Sequence, residues 1–494
     1  MGAVRPASRM RPVELVDDDE DAGPASPSSR AHHHGDDGTG GPGPDGTDRE
    51  PADTGDGRRW WPWLVGVLVV AVVAGAIATS VAERAARERA DLLGALPGVV
   101  RPLEAVPTTL WRVRADGPTP VLAAGGAIVT VSGAGGRWVV RSSAAATGEV
   151  RWEVPVVEPA GAGFESVAVA CSAGADPDAV LLCAWTEPNV VYGSAGESTP
   201  YVPPMRFLAL DPADGAPRGS WEHDGTVLGV VRHADDVVVA TGLEDRRVRV
   251  ERRDGIDGTV QWSWTSTAAL VDNGGVRAAP SLVGDGDVVA LVAISTAVLD
   301  ARTGAVLIDG PPGRVILVSG LPDGGFATWA SALGGHLRDA DGTERAPVHA
   351  LPVDVVGDGS LDEILLDWGN KVLATQPADG ATVWSTSTSM SPVAVVDRTV
   401  VMAGEASVGA VDGADGRILW EQELTVELRS HPLTDGVHVL VPEPLGSLGQ
   451  VLVARGLRDG VEAWRIALPP DLVEVRAVAG RVVALTPTDV VVLG

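Results

Sequence analysis

Pro392-Val393-Ala394-Val395-Val396, Thr399-Val400-Val401-Met402-Ala403, Ser407-Val408-Gly409-Ala410-Val411 and Arg417-Ile418-Leu419-Trp420 are four short apolar runs, rich in β-branched residues, that follow one another with no helical interval. Such runs read as strands. Asp397-Arg398, Gly404-Glu405 and Asp412-Gly413-Ala414-Asp415-Gly416 separate them. Each separator is short enough for a hairpin, and Gly416 can take the positive φ that a tight turn demands. Four strands joined in this way make one small antiparallel sheet, the blade of a propeller.

The same phrase recurs along the chain. Gly148, Gly215, Gly258, Gly304, Gly342, Gly380, Gly416 and Gly460 set its register, at steps clustering near the roughly 40 residues of a four-stranded blade. The step from Gly148 to Gly215 is much longer and must carry an insertion. Most of Trp111, Trp152, Trp221, Trp262, Trp384, Trp420 and Trp464 follow such a glycine by four residues. Each indole is expected to lie over the neighbouring blade, where truncation would remove about 3–5 kcal/mol. Ile308 and Ala346 occupy the tryptophan position in two units, so those junctions should be weaker.

Val473 to Leu493 supplies strands without a tryptophan-bearing fourth, and Thr108-Thr109-Leu110-Trp111-Arg112-Val113 is a lone tryptophan-bearing strand ahead of the first unit. These two ends should pair and close a ring. Every phrase plus closure counts nine units, above the usual range of about four to eight blades. The expectation is therefore an all-β propeller of about eight four-stranded blades over 108–494, with one phrase misassigned or one unit irregular.

Three segments precede the repeats. Residues 1–59 are rich in Pro, Gly, Asp and Ser, include Asp17-Asp18-Asp19-Glu20-Asp21, and lack an apolar run long enough to bury; they should be disordered. His32, His33 and His34 lie in this tail and read as a chance run. Residues 60–82 carry no charge, with Trp60, Trp61 and Trp63 beside Arg58 and Arg59 at one end. At about 1.5 Å per residue this segment crosses a bilayer core of about 30 Å, and it lies too deep in the chain for a cleaved signal peptide. Residues 83–107 start with a charged helical pattern and end in Pro97, Pro102 and Pro107, which reads as a stalk.

The net charge is −28, and Lys371 is the single lysine. A nucleic-acid partner needs a basic surface that this balance does not supply. Charges flanking 60–82 leave orientation undecided, but the cysteines bear on it. Asp176-Pro177, a turn signal, lies midway between Cys171 and Cys183, so two antiparallel strands would set the sulfurs face to face. A disulfide would place the repeats in an oxidising compartment, with the acidic tail cytoplasmic and the chain a single-pass protein of the cell membrane; two reduced, buried thiols are the alternative.

From Trp111 to Gly494 the repeat resembles the pyrroloquinoline-quinone-type blade of the quinoprotein alcohol dehydrogenase-like superfamily, also used by the lipoprotein subunit that helps assemble outer-membrane barrels. That resemblance implies a tryptophan-docked propeller. Enzymes of the superfamily hold their quinone against a disulfide of adjacent cysteines, with a calcium and a catalytic aspartate. This chain has no adjacent cysteines and no matching ligand set, which implies the non-enzymatic type, with no cofactor and no catalytic residue.

A second, local resemblance is carried by Asp354-Val355-Val356-Gly357-Asp358-Gly359-Ser360-Leu361-Asp362-Glu363, which looks like the calcium loop of integrin-type propeller repeats. Asp354, Asp358 and Asp362 match, while Val356 stands where a further ligand is usual; the readings are a calcium site or an ordinary acidic turn. The insertion holds Trp185, Glu187, Pro188, Asn189, Tyr192, Pro200, Tyr201, Pro203 and Pro204. Tyr192 and Tyr201 are both of the chain's tyrosines, and they read either as partner-contact residues or as part of a loop covering one propeller edge. His223, His233, His336, His349, His431 and His438 are dispersed and read as structural. Together these features point to a membrane-tethered binding or scaffold module for a protein or cell-envelope component, with a quinone-dependent envelope enzyme or a calcium-binding propeller as the alternative.

Overall fold

Strands Ser391–Val396, Thr399–Ala403, Ser407–Asp412 and Ile418–Glu423 form one antiparallel sheet in chain order in the computed structural model of the protein. Asp397 and Arg398 both take positive φ, 51° and 57°, the mirror-image turn whose twist matches that of the flanking strands. The structure describes residues 88–494 except 90–91, 97, 104, 116–119, 135–136, 158–167, 175, 177, 187–189, 193–197, 201, 271–279, 312, 332, 370, 429 and 446–448. The tail 1–59 and the expected membrane segment 60–82 lie outside the described residues, among which no helix is long and apolar enough to cross a membrane.

Nine sheets follow one another, their leading strands starting at Val121, Ala170, Thr226, Ser281, Leu317, Leu365, Ser391, Leu433 and Glu474. The sixth has three strands, Leu365–Trp368 standing in the second position because the first is reduced to an isolated bridge between Pro352 and Asp367. Nine apolar clusters join them, each spanning two consecutive sheets. The ninth packs Val483, Val490 and Val492 of the last blade against Val121 and Ile128 of the first. A sheet covered on both faces needs continuous apolar strands rather than alternation, and Thr399–Ala403 is buried at every position.

The propeller has nine blades, not the eight expected. The units carrying Ile308 and Ala346 are complete four-stranded sheets: strands define a blade, and an indole does not. The long step after Gly148 is an insertion within blade 2, where Val190–Tyr192 pairs with Ser198–Pro200. Closure follows the expectation. Thr109–Arg114 is the outer strand of blade 9, with Arg112 opposite Val491 and Arg114 opposite Asp489, and Thr108 and Gly494 exchange backbone hydrogen bonds of 3.2 and 3.1 Å.

The indoles dock in a constant way. Trp111, Trp152, Trp221, Trp262, Trp384 and Trp420 each sit on the glycine turn of the next blade, at Gly148, Gly215, Gly258, Gly304, Gly416 and Gly460, where an added Cβ would come within 2.5–2.7 Å of the ring. Each indole N–H donates to the carbonyl three residues before that glycine, those of Ala145, Pro212, Gly255, Ala301, Gly413 and Leu457, at 2.9–3.1 Å. The turn is prepared locally, because the aspartate opening the phrase caps it: Asp211 accepts from Ala213 N–H at 2.8 Å and Asp412 from Ala414 N–H at 3.0 Å. Trp464 has no such turn to meet. The third and fourth strands of blade 9 come from opposite ends of the chain, and Trp464 instead contacts His438 edge-on at 6.3 Å.

Replacing Gly215, with φ 74°, by alanine should destabilise the protein by about 2–4 kcal/mol, from backbone strain plus collision with Trp152. Gly313→Ala, at φ 81° but with open space around it, should lose only about 1 kcal/mol. Denaturant titration of both variants checks the difference, and equal losses would show that close approach of the ring is not what the glycine serves.

Candidate functional site

Antiparallel chain order gives the ring two unlike faces. The first-to-second and third-to-fourth hairpins of every blade lie on one, with the docking glycines. The second-to-third turns and the blade-to-blade connections lie on the other. The residues singled out in the sequence divide between them.

On the glycine face the acidic loop is a structural tie. Val356–Gly357 runs parallel to Ala394–Val395 on the inner edge of blade 7, so Val356, at the position where a further ligand is usual, belongs to a strand. Asp358 accepts from Ser360 N–H at 3.1 Å and Asp397 N–H at 2.9 Å, and Arg89 lies 3.9 Å away. Burial works to raise this carboxyl, but the Ser360 and Asp397 hydrogen bonds and Arg89 hold it below the ordinary range. Glu363 pairs with Arg398 at 2.7 Å. Asp354 and Asp362 border a small cavity of about 130 Å³. The three aspartates are not gathered as a ligand set: among the described residues no three or more His, Cys, Asp or Glu side chains stand where they could hold a metal.

Part of the expected stalk lies against this face. Leu93, Val99 and Val100 are buried among the apolar residues of blades 7 to 9. Val99 bridges Thr434 in parallel, Val100 N–H donates to Thr434 O at 2.8 Å, and Arg101 N–H to Gly480 O at 3.0 Å. The fully buried Asp435 accepts from Leu103 N–H at 3.2 Å, Val437 N–H at 2.9 Å and His438 N–H at 2.6 Å. His438 Nδ1 lies 3.0 Å from the same carboxylate, whose hydrogen bond raises the His438 pKa. The sequence shows Thr434-Asp435-Gly436 only as a turn signal, because the acceptor's third partner comes from more than three hundred residues away.

The opposite face carries the insertion. Cys171 and Cys183 stand directly opposite on adjacent strands of blade 2 and are joined as a disulfide, with Cα atoms 4.0 Å apart. Trp185 belongs to the core, 9% exposed between blades 1 and 2. Tyr192 lies on the backbone of the inserted hairpin, and Tyr201 falls outside the described residues.

The buried ionisable groups outside these sites are scattered. His223 is buried with Nε2 2.7 Å from Thr241 Oγ1, and burial followed by Arg253 lowers its pKa. Asp367, fully buried in blade 6, accepts from Thr375 Oγ1 at 2.6 Å, and its other oxygen has no partner. Burial raises it to about 6.

The family described as outer membrane protein assembly factor BamB matches residues 184–312 and 369–494, just over half of the 494 residues. The chain belongs to that family. Among solved structures, BamB from Moraxella catarrhalis is similar at 19% identity and TM-score 0.42, over 78% of this chain and 99% of its own. A quinohemoprotein alcohol dehydrogenase from Pseudomonas putida is similar at 10% identity and TM-score 0.40, over 82% and 81%. No curated protein matches the sequence.

In this BamB-family propeller the two cysteines, twelve apart in sequence, tie neighbouring strands of one blade. Asp367 gives a pH test of the fold. Its folded-state pKa, raised from 3.8 to about 6, means that the folded protein holds the proton more tightly, so this group's contribution is present below about pH 4 and lost as pH rises through about 6. Asp367→Asn should therefore gain stability over wild type as pH climbs from 4 to 7, by on the order of 2–3 kcal/mol. Unfolding midpoints of both proteins across that range check it, and parallel curves would contradict it.

Proposed function

We propose that the chain is a non-catalytic, membrane-tethered propeller that binds a protein or cell-envelope partner outside the cytoplasm. Membership of a family described as an assembly factor is the observation that carries this reading. Two features support the location. Residues 60–82 are uncharged over a length that suits a bilayer core, and the Cys171–Cys183 disulfide belongs to an oxidising compartment. Among the described residues no three His, Cys, Asp or Glu side chains stand where they could hold a metal, and the ion pairs mostly tie turns and neighbouring blades.

Topology labelling tests the location. A cysteine introduced at the exposed Val461 should react with a membrane-impermeant maleimide on intact cells, and one at Ser28 should not; the reverse pattern would overturn the orientation. Cross-linking from native membranes should capture a protein or envelope polymer. Adding quinone and calcium to the purified chain should leave its melting temperature and absorbance unchanged, whereas a saturable change in either would restore the enzyme or calcium-binding reading.

A further inference from the structure

We propose that the groove over blade 7, on the face opposite the docking glycines, is the partner-binding surface, and that its occupant is an arginine- or lysine-bearing peptide segment of a protein. This rests on the reading above that the propeller binds a protein partner, and gives that partner's segment a chemistry.

The groove measures about 870 Å³ and is bordered by Trp368, Leu424, Leu428, Glu405, Glu421 and Glu423 among others. Its apolar shelf is built, not incidental. The connection from blade 7 to blade 8 folds back over the Gly404-Glu405 turn, with Leu424 N–H donating to Ala406 O at 2.8 Å and Leu428 N–H to Glu405 O at 2.7 Å. Trp368 ends the second strand of blade 6 and is 45% exposed. It takes no part in blade docking, which makes it an exposed indole without an architectural task.

Charge decides the occupant. Glu153, Glu222, Glu251, Glu344, Glu363, Glu443, Glu462 and Glu474 each pair with an arginine. Among the described residues Glu149, Glu244, Glu405, Glu421, Glu423 and Glu427 form no ion pair with an arginine, and three of these, Glu405, Glu421 and Glu423, meet at this one groove. Phosphate-bearing ligands, whether nucleic acid or anionic headgroups, are repelled by such a site. A free polyamine or metal ion would neutralise the carboxylates and leave wet the exposed Trp368 and the outer edges of Leu424 and Leu428, which are half-buried against blades 7 and 8. A peptide alternating basic and apolar residues satisfies both at once: its cations meet the glutamates, and its apolar side chains cover the indole and leucines, the aromatic-anchored pattern of strong contact sites.

The test uses the full-length chain in detergent micelles and a fluorescein-labelled peptide, Arg-Leu-Arg-Phe-Arg-Leu, followed by anisotropy. Saturable binding is expected, with at least tenfold weaker affinity for Glu-Leu-Glu-Phe-Glu-Leu, for the Glu421→Lys/Glu423→Lys protein and for Trp368→Ala, and unchanged affinity for Glu149→Lys. Melting curves establish that each variant is folded, and Trp368→Phe, which keeps an aromatic ring, should bind as wild type does. No saturable binding, equal loss with Glu149→Lys, or complete displacement by spermidine would overturn the proposal. If cross-linking captures the same protein from wild type and from the Glu421→Lys/Glu423→Lys chain, the groove is wrong and the binding-module reading stands. If the wild type captures no protein, the reading itself fails.

Discussion

The ring depends on one contact made over and over: the indole of one blade lying on the glycine turn of the next. Two demands meet at that glycine. Its backbone is in the left-handed region, φ between 66° and 75° at the six docked turns, and the ring lies where a Cβ would be. The indole N–H then donates to a carbonyl of the same turn, so a large apolar side chain buries its area without leaving its donor unpaired. A rigid two-ring side chain held at a face and an edge fixes both the spacing and the angle of successive sheets. Repeating it gives the array its curvature.

Where the indole is missing, other contacts carry the junction. At Gly342 the neighbouring blade presents the backbone and Cβ of Leu307. At Gly380 no ring is present either, yet Arg345 donates to the Pro377 carbonyl at 3.2 Å, the acceptor an indole uses elsewhere, while paired with Asp323 and Asp339 at 2.7 Å each. The guanidinium takes over the directional half of the contact and leaves the apolar half to Ala346 and Val348. The seam between the chain ends is different again. There no turn exists, and the ladder between Thr109–Arg114 and Asp489–Leu493 does the joining.

Function follows from what this frame leaves free. Arginines spend themselves on structure, as Arg232 does in reaching from blade 3 to Ser172 O of blade 2 at 2.7 Å. The glycine face is partly covered by residues 92–96 and 98–103 over blades 7 to 9. The other face keeps an exposed tryptophan, the outer edges of two half-buried leucines, and carboxylates without an ion-pair partner among the described residues. Connections on such a frame can change without disturbing the stacked sheets, which is the physical ground for the proposed binding role.

By itself the sequence determined the blade, the docked tryptophans and the closure of the ring, because each rests on local chemistry: β-branched runs bounded by turns, a glycine four residues before an indole, a strand lacking a partner at either end. Those signals repeat and reinforce one another. Tertiary structure alone decided the blade number, since units with Ile308 and Ala346 hold their place through packing on both faces, which no local residue announces. It also decided that Asp358 accepts from the Asp397 turn of blade 7, and that Asp435 secures Leu103 across more than three hundred residues. The physical reason is the same in each case: these outcomes depend on which distant groups reach a buried carboxylate or an apolar face, and sequence spacing carries no record of that.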